Sequence, residues 1–260
     1  MNGELAEVIA LVTHGTVWLS DRIEPPPSLE TNTTFQYVRT VRFIERDFTA
    51  TDVGTWLRHL ADWGVSRIWL GTGRPRHRPF DWADERMLSA FSGGGTWFLL
   101  ATGASRAQAW QATWKVGHRD APDHRIWDVV YESSGVGDAP ERSSLAGATE
   151  RLRTSLTETR AFALENDLSV WADWFDRALA ASGADAPEAP YHPDMMASEF
   201  PAGARRLAAA AAHSWVFGGM GSWNDLGFES KQDHGRYEAL SRELYGAVLD
   251  AFVAAANVDL

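Results

Sequence analysis

The sequence predicts an α+β fold: an N-terminal, mostly antiparallel sheet with one or two helices, and a C-terminal helical layer packed on it. Residues 1–137 contain mainly short apolar runs and alternating segments, whereas residues 143–260 contain long stretches of helical periodicity. A polar stretch at residues 135–142 separates them. Strand-rich sequence followed by helix-rich sequence is typical of α+β proteins. We expect the two parts to pack as one globular unit.

The strand-rich part is predicted to contain short strands and one clear helix. Apolar residues at positions i, i+3, i+4 and i+7 predict a helix that Thr51 caps and Gly64 ends. His14 and Gly15 are interpreted as a turn between the first two strands. The strands, of which the last two form a hairpin, are predicted at residues 8–12, 17–19, 35–44, 65–70, 96–100, 109–116 and 125–131.

The C-terminal part is predicted to form four helices. Ser169 is placed as the cap of the second helix, and Pro201 at the start of the third, where proline is tolerated. The last helix has the clearest apolar stripe, which must be buried against the strands or the preceding helices. The four helices are predicted at residues 145–166, 169–179, 201–215 and 233–253.

Composition and charge limit the possible functions. The net charge of −11 argues against nucleic-acid binding, which depends on neutralising phosphates, and it suits a basic partner. The chain has no cysteine, which excludes disulfides, thiolate zinc sites and a cysteine nucleophile. No segment approaches the ~20 apolar residues that a membrane span needs, and the first residues lack a basic signal region. We therefore expect a cytoplasmic protein with no membrane partner.

The least ordinary segment is a loop rich in glycine and tryptophan at residues 215–225. Its glycines allow close approach of the backbone to another group, and its two tryptophans are large apolar rings. A ligand pocket and a structural elbow between two helices are both consistent with this pattern. The residues predicted to bind a ligand or partner here are Trp215, Gly218, Gly219, Gly221, Trp223 and Asn224. If the chain is an enzyme, proton transfer is assigned to Asp225, Glu229 or His234.

The run from Trp215 to Asp225, followed by Tyr237 and the long apolar helix, resembles the C-terminal signature of an uncharacterised bacterial protein family. Some proteins of that family occur near polymorphic toxin or secretion loci. The resemblance covers roughly the last fifty residues and brings no known catalytic residues. It implies a bacterial protein and is consistent with an immunity-type role.

Two other segments carry candidate ligands. Arg74 and Arg76 belong to the main basic cluster of the chain, which could hold a phosphate or carboxylate group or be a solvated loop. The hairpin connection contains two histidines and two aspartates, which are weak candidates for a divalent metal site: His118, Asp120, Asp123 and His124. Ordinary turn chemistry accounts for the same residues. We predict no metal and no cofactor.

Two functions from different classes remain open at this stage. The preferred interpretation is an inhibitor or immunity-type binding protein for a basic protein partner, since the chain is acidic and rich in the aromatic residues that dominate protein contacts. The alternative is a small-molecule enzyme, a hydrolase or a biosynthetic tailoring enzyme, with a tryptophan-lined pocket at residues 217–236. A small-molecule ligand is therefore also possible.

Overall fold

The computed structural model describes residues 1–73, 84–104, 107–135, 143–185, 187 and 189–260. In these residues it contains six strands, seven helices and two single 3-10 turns, at Thr33–Phe35 and Trp223–Asp225. The helices are α1 (Gly3–Asp21), α2 (Val53–Asp62), α3 (Glu85–Leu88), α4 (Leu145–Glu165), α5 (Ser169–Gly183), α6 (Ala202–His213) and α7 (Lys231–Ala256). The strands are β1 (Val38–Glu45), β2 (Phe48–Ala50), β3 (Val65–Thr72), β4 (Trp97–Gly103), β5 (Ala107–Val116) and β6 (Trp127–Ser133).

The six strands form one sheet in the order β2-β1-β6-β5-β4-β3. All neighbouring strands are antiparallel except β1 and β6, which run parallel with Phe43 opposite Tyr131. The predicted hairpin is present as β5 and β6, with Trp114 opposite Val129. The predicted α+β class, with a mostly antiparallel sheet and a C-terminal helical layer, is confirmed.

The prediction of two strands in residues 8–19 is wrong, because these residues belong to the single helix α1. Every residue from Glu4 to Thr13 is buried, so the helix has no polar face and gives no amphipathic period. The expected turn at Gly15 is a helical position instead. A Cβ atom there would lie 2.7 Å from the Ile68 side chain, so glycine allows α1 to pack closely on β3.

The outward edge of β3 is covered by two polar side chains. The Thr16 hydroxyl in α1 donates to the Ile68 carbonyl and accepts from the Ile68 amide, at 3.0 and 3.2 Å. Beyond the end of α7, the Asn257 side chain donates to the Leu70 carbonyl and accepts from the Leu70 amide, at 2.9 and 2.8 Å. These bonds take the place of a further strand and attach both helices to the sheet.

The helical layer agrees closely with the sequence prediction. Helices α4, α5, α6 and α7 begin within a few residues of the predicted positions, and α7 starts at Lys231 with Ser230 as its cap. Helix α2 is also present, but its cap is Asp52, whose carboxylate accepts from the Thr55 amide at 2.7 Å, and not the predicted Thr51. Among the described residues, no helix combines the length and apolar character that crossing a bilayer needs.

Candidate binding groove

The glycine-rich loop follows α6 directly and is held in shape by its own side chains. The Trp215 indole donates to the Phe217 carbonyl at 2.6 Å, and the Ser222 hydroxyl donates to the Gly218 carbonyl at 3.0 Å. The Asp225 carboxylate accepts from the backbone amides of Gly221 and Ser222, which completes a capping box around the 3-10 turn. Gly221 has a φ of +83°, a left-handed conformation that favours glycine.

Trp223 is part of the core of the helical layer. Its side chain has no exposed surface, and its indole donates to the Ser241 hydroxyl of α7 at 2.7 Å. The rings of Trp171 and Phe175 contact it edge to face, with centroids 5.5 and 5.2 Å away. The structure therefore places this predicted binding residue beneath the loop, where a ligand does not reach it.

Asn224 joins the loop to the N-terminal part of the chain. Its amide nitrogen lies 3.4 Å from the Gly218 carbonyl and 3.5 Å from the carbonyl of Arg86, which lies in α3. The Asn224 Oδ1 atom is buried without a hydrogen-bond partner. Arg86 is also buried and forms an ion pair with Glu238 of α7 at 2.9 Å. The loop thus rests on α3 through polar contacts.

A groove of about 490 Å³ lies beside this loop, and we call it the 215–222 groove. Its walls come from the loop, the first turns of α5, the segment after α3, and the residues that begin α1. Asn2 ties two of these walls together, since its side chain caps α1 and donates to the Ser89 carbonyl at 2.7 Å. The groove is lined by Met1, Asn2, Ser89, Ala90, Val170, Trp171, Trp174, Tyr191, Trp215, Val216, Phe217, Gly218, Gly221 and Ser222.

Several large apolar side chains around this groove are exposed. Val170 is 73% exposed, Met220 is 100% exposed, and Tyr191 is 43% exposed. Met87 and Phe91, which flank the lining residues Ser89 and Ala90, are 39% and 64% exposed. Of these five, Val170 and Tyr191 line the groove, and the other three lie within two residues of a lining residue in the sequence.

The three residues proposed for proton transfer do not meet in the groove. Asp225 is exposed, and its carboxylate is engaged by the loop amides. Glu229 and His234 are exposed and lie outside the described lining of the groove. The described lining contains no carboxylate, imidazole or lysine side chain, but it includes Met1, and burial lowers the pKa of the Met1 α-amino group to about 5.

The most perturbed acidic groups lie in the core behind the groove. Burial, with a smaller contribution from the neighbouring Glu4, raises the pKa of Glu7 to about 8, although the hydrogen bond from Tyr131 lowers it in part. Burial also raises the pKa of Glu4, whose carboxylate accepts from the Gly93 amide at 2.7 Å. Glu7 has no exposed surface, so its protonation affects the stability of the fold and the side chain does not touch a bound molecule.

The remaining sequence candidates fall elsewhere. Arg74 and Arg76 lie outside the described residues. The hairpin connection, with His118, Asp120 and His124 close together in sequence, is described, and the Asp123 carboxylate accepts from the backbone amide of Arg125 at 3.1 Å. Within the described ranges, no group of three or more histidine, aspartate or glutamate side chains is placed to hold a metal ion.

Sequence reasoning found one wall of the groove and missed the others. Trp215, Gly218 and Gly221 are predicted from the sequence to bind a ligand or partner, and they line the groove. Gly219, also predicted, is exposed beside it. Trp171 and Trp174 belong to the apolar face of the second predicted helix, and no motif marks them as groove residues. The signal for their role is the width of that face: Val170, Trp171, Trp174 and Phe175 span more of α5 than one neighbour can cover.

Comparison of the chain with protein-family models, with curated proteins and with solved structures gives no match.

Proposed function

We propose that this chain is a binding protein of the inhibitor or immunity type, which holds a basic protein partner in the 215–222 groove. The observation that carries the proposal is the apolar lining of one groove, which contains Trp171, Trp174 and Trp215 together with the exposed side chains of Val170 and Tyr191. Exposed apolar surface of this density marks interaction sites, and tryptophan and tyrosine are enriched where binding energy concentrates. The resemblance of residues 215–225 to a bacterial family found near toxin loci supports the immunity type.

The distribution of charge supports a basic partner. Residues 143–260 contain 17 of the 35 acidic residues but only nine of the 24 basic residues, which gives this part a net charge of −8. Asp167 and Asp173 are exposed on either side of Val170 in the chain, and Asp225 is exposed at the loop. An apolar groove with acidic residues at its rim suits a segment that carries an apolar side chain between lysines or arginines.

The enzyme alternative has less support from the same groove. An enzyme that transfers protons needs a titratable side chain within hydrogen-bond reach of its substrate. Besides the Met1 α-amino group, the described lining offers indole rings, small residues, hydroxyl groups and backbone carbonyls, and the candidates Asp225, Glu229 and His234 lie outside it. Such a lining suits recognition of a surface better than it suits a reaction.

The test uses three forms of the chain as baits in an extract of the source organism: the native chain, Val170→Lys and Ile23→Lys. Val170 and Ile23 are 73% and 70% exposed, so both changes alter charge and exposed surface alike. Ile23 lies beyond the far end of α1 from the groove, ~28 Å away for a helix of this length. We expect a protein of net positive charge to be recovered with the native chain and Ile23→Lys and lost with Val170→Lys.

Binding of the recovered protein is then measured at low and at high salt. A steered, charge-complementary complex weakens as salt rises, mainly through a slower association rate. Recovery of no protein, equal recovery by Val170→Lys, or recovery of an acidic protein whose affinity does not depend on salt would overturn the proposal.

A further inference from the structure

A second cavity, of about 490 Å³, lies where the end of β5 and the start of β6 meet residues 34–38. Four aromatic side chains from four segments line it, and we call them the aromatic box: Tyr37, Trp114, Trp127 and Tyr191. The rings of Trp114 and Trp127 meet edge to face, with centroids 5.9 Å apart and an angle of 72° between their planes. Two walls of the box therefore stand nearly at right angles.

The side chains of the described residues form the walls of the box and leave its interior open. Tyr37 is 53% exposed and Tyr191 is 43% exposed, so ring surface remains open. The indole nitrogen of Trp114 and the Nδ1 atom of His192 are buried without hydrogen-bond partners. His192 itself is 8% exposed and lies in the lining of the cavity. The open aromatic surface of Tyr37 and Tyr191 in a cavity of this size indicates a site shaped for a ligand.

We propose that the aromatic box binds a quaternary ammonium group. The faces of tryptophan and tyrosine rings attract a cation through their quadrupoles, and arrangements of several such rings recognise methylated ammonium groups. The described lining contains no lysine or arginine, and burial lowers the pKa of the Met1 α-amino group in the lining to about 5, so this amine is neutral at neutral pH and does not repel a cation. Burial lowers the pKa of His192, so its imidazole is neutral at neutral pH and does not oppose a positive charge. The net charge of −11 favours a cation further.

The polar groups of the box distinguish this ligand from similar ones. A primary ammonium group carries three N–H donors that need acceptors, and a sugar carries several hydroxyl groups. The described lining contains no carboxylate, which is the acceptor that pairs most strongly with a primary ammonium group. A quaternary ammonium group has no N–H donor, so it leaves no hydrogen bond unmade in such a site. The cavity is also large enough for the hydroxyethyl group of a small molecule such as choline.

The probes are choline, its neutral carbon isostere 3,3-dimethylbutan-1-ol, and ethanolamine, each titrated into the full chain by calorimetry. Choline and the isostere have nearly the same shape, so the difference between their affinities reports the effect of the charge alone. A cation–π contribution of ~1–2 kcal/mol makes choline bind about tenfold more tightly than the isostere. We expect ethanolamine to bind more weakly than choline as well. Equal affinity for choline and the isostere, tighter binding of ethanolamine, or no binding of choline would overturn the proposal.

Two variants locate the site. Tyr37→Leu removes one half-exposed ring of the box and is expected to weaken choline several-fold. Phe91→Leu removes a ring of similar exposure, 64%, that lies outside the described lining of the box, and it should leave choline affinity unchanged. Circular dichroism confirms that both variants fold. An unchanged affinity in Tyr37→Leu contradicts the assignment.

This site goes beyond the proposed protein-binding function and is tested without a protein partner. The two proposals therefore fail separately: loss of the partner in Val170→Lys concerns the groove, and the choline titration concerns the box.

Discussion

The hydroxyl group of Tyr131 donates a 2.9 Å hydrogen bond to the carboxyl group of Glu7, and both side chains are completely buried. The bond joins the middle of the sheet to α1. Tyr131 stacks on Phe43, which stacks on Trp56 of α2, so the acid lies against an aromatic cluster. The other carboxyl oxygen of Glu7 has no partner, and burial raises the Glu7 pKa to about 8. Glu7 is therefore protonated at neutral pH.

This pair predicts that stability falls as the pH rises from about 4.5 to about 8. The folded-state pKa of Glu7 lies above the ordinary value of 4.5, so the folded chain binds the proton more tightly than the unfolded chain does. The resulting stability is complete below about pH 4.5 and is lost as the pH rises through about pH 8. The expected loss in the free energy of unfolding is about 1.4 kcal/mol per pH unit between these limits. Urea unfolding across this range measures it.

The variant Glu7→Gln isolates the effect. Glutamine is uncharged at every pH and keeps an oxygen that accepts from Tyr131, so its free energy of unfolding should depend less on pH. Burial also raises the pKa of Glu4, but Glu4 is present in both chains. The difference between the two chains in the slope of the free energy of unfolding against pH therefore reports Glu7 alone. Equal slopes for the two chains would show that Glu7 is ionised in the folded state.

Asn257→Ala should destabilise the chain strongly. The Asn257 side chain satisfies the amide and the carbonyl of Leu70 at the edge of β3, and Asn257 is only 5% exposed. Alanine leaves two buried backbone groups without partners, at about 1–3 kcal/mol for each unsatisfied group. We expect a loss of roughly 2–5 kcal/mol, measured by chemical denaturation. Asn224→Ala is the control, since the longer contacts of Asn224 should give a smaller loss.

Trp223→Ala and Met220→Ala should separate the core from the surface of the same loop. Trp223 has no exposed surface, so its truncation should lower the free energy of unfolding by about 3–5 kcal/mol. Met220 is 100% exposed, and its truncation should change stability by less than about 0.5 kcal/mol. Thermal and chemical unfolding of both variants provide the comparison. A large loss in Met220→Ala would contradict the exposed position of that side chain.

Asp225→Asn distinguishes a capping role from a catalytic one. The Asp225 carboxylate accepts from the Gly221 and Ser222 amides, and an asparagine oxygen accepts in the same place. We expect a loss of stability of about 1 kcal/mol or less and a slightly weaker binding of the basic partner, because the variant removes one exposed acidic charge from the loop. Complete loss of function with an intact circular dichroism spectrum would instead favour the enzyme alternative.

The sequence predicts the helical layer well and α1 poorly, for one physical reason. Helices α4 and α5 and the first half of α7 have one buried side and one exposed side, so their apolar residues recur at helical spacing. Helix α1 is surrounded by the sheet and other helices, and burial on all sides removes the period. A continuous apolar run such as residues 8–12 then fits a buried strand and a buried helix equally.

The candidate groove is predictable only in part. The density of glycine and tryptophan marks the loop at residues 215–225, because such residues are needed where the backbone turns closely around large rings. The opposing walls at Ser89, Val170 and Tyr191 come from distant segments whose meeting no local pattern encodes. Local pattern also fails to separate Trp215, which lines the groove, from Trp223, which the helices enclose.

The most direct test of the account is the affinity of the recovered basic protein for Val170→Lys compared with Ile23→Lys. Both variants replace a β-branched side chain of nearly equal exposure with the same cation, and only Val170 lines the groove. The account predicts that Val170→Lys weakens binding at least tenfold, about 1.4 kcal/mol, while Ile23→Lys matches the native chain. Equal affinities for the two variants would place the partner elsewhere on the surface and contradict the account.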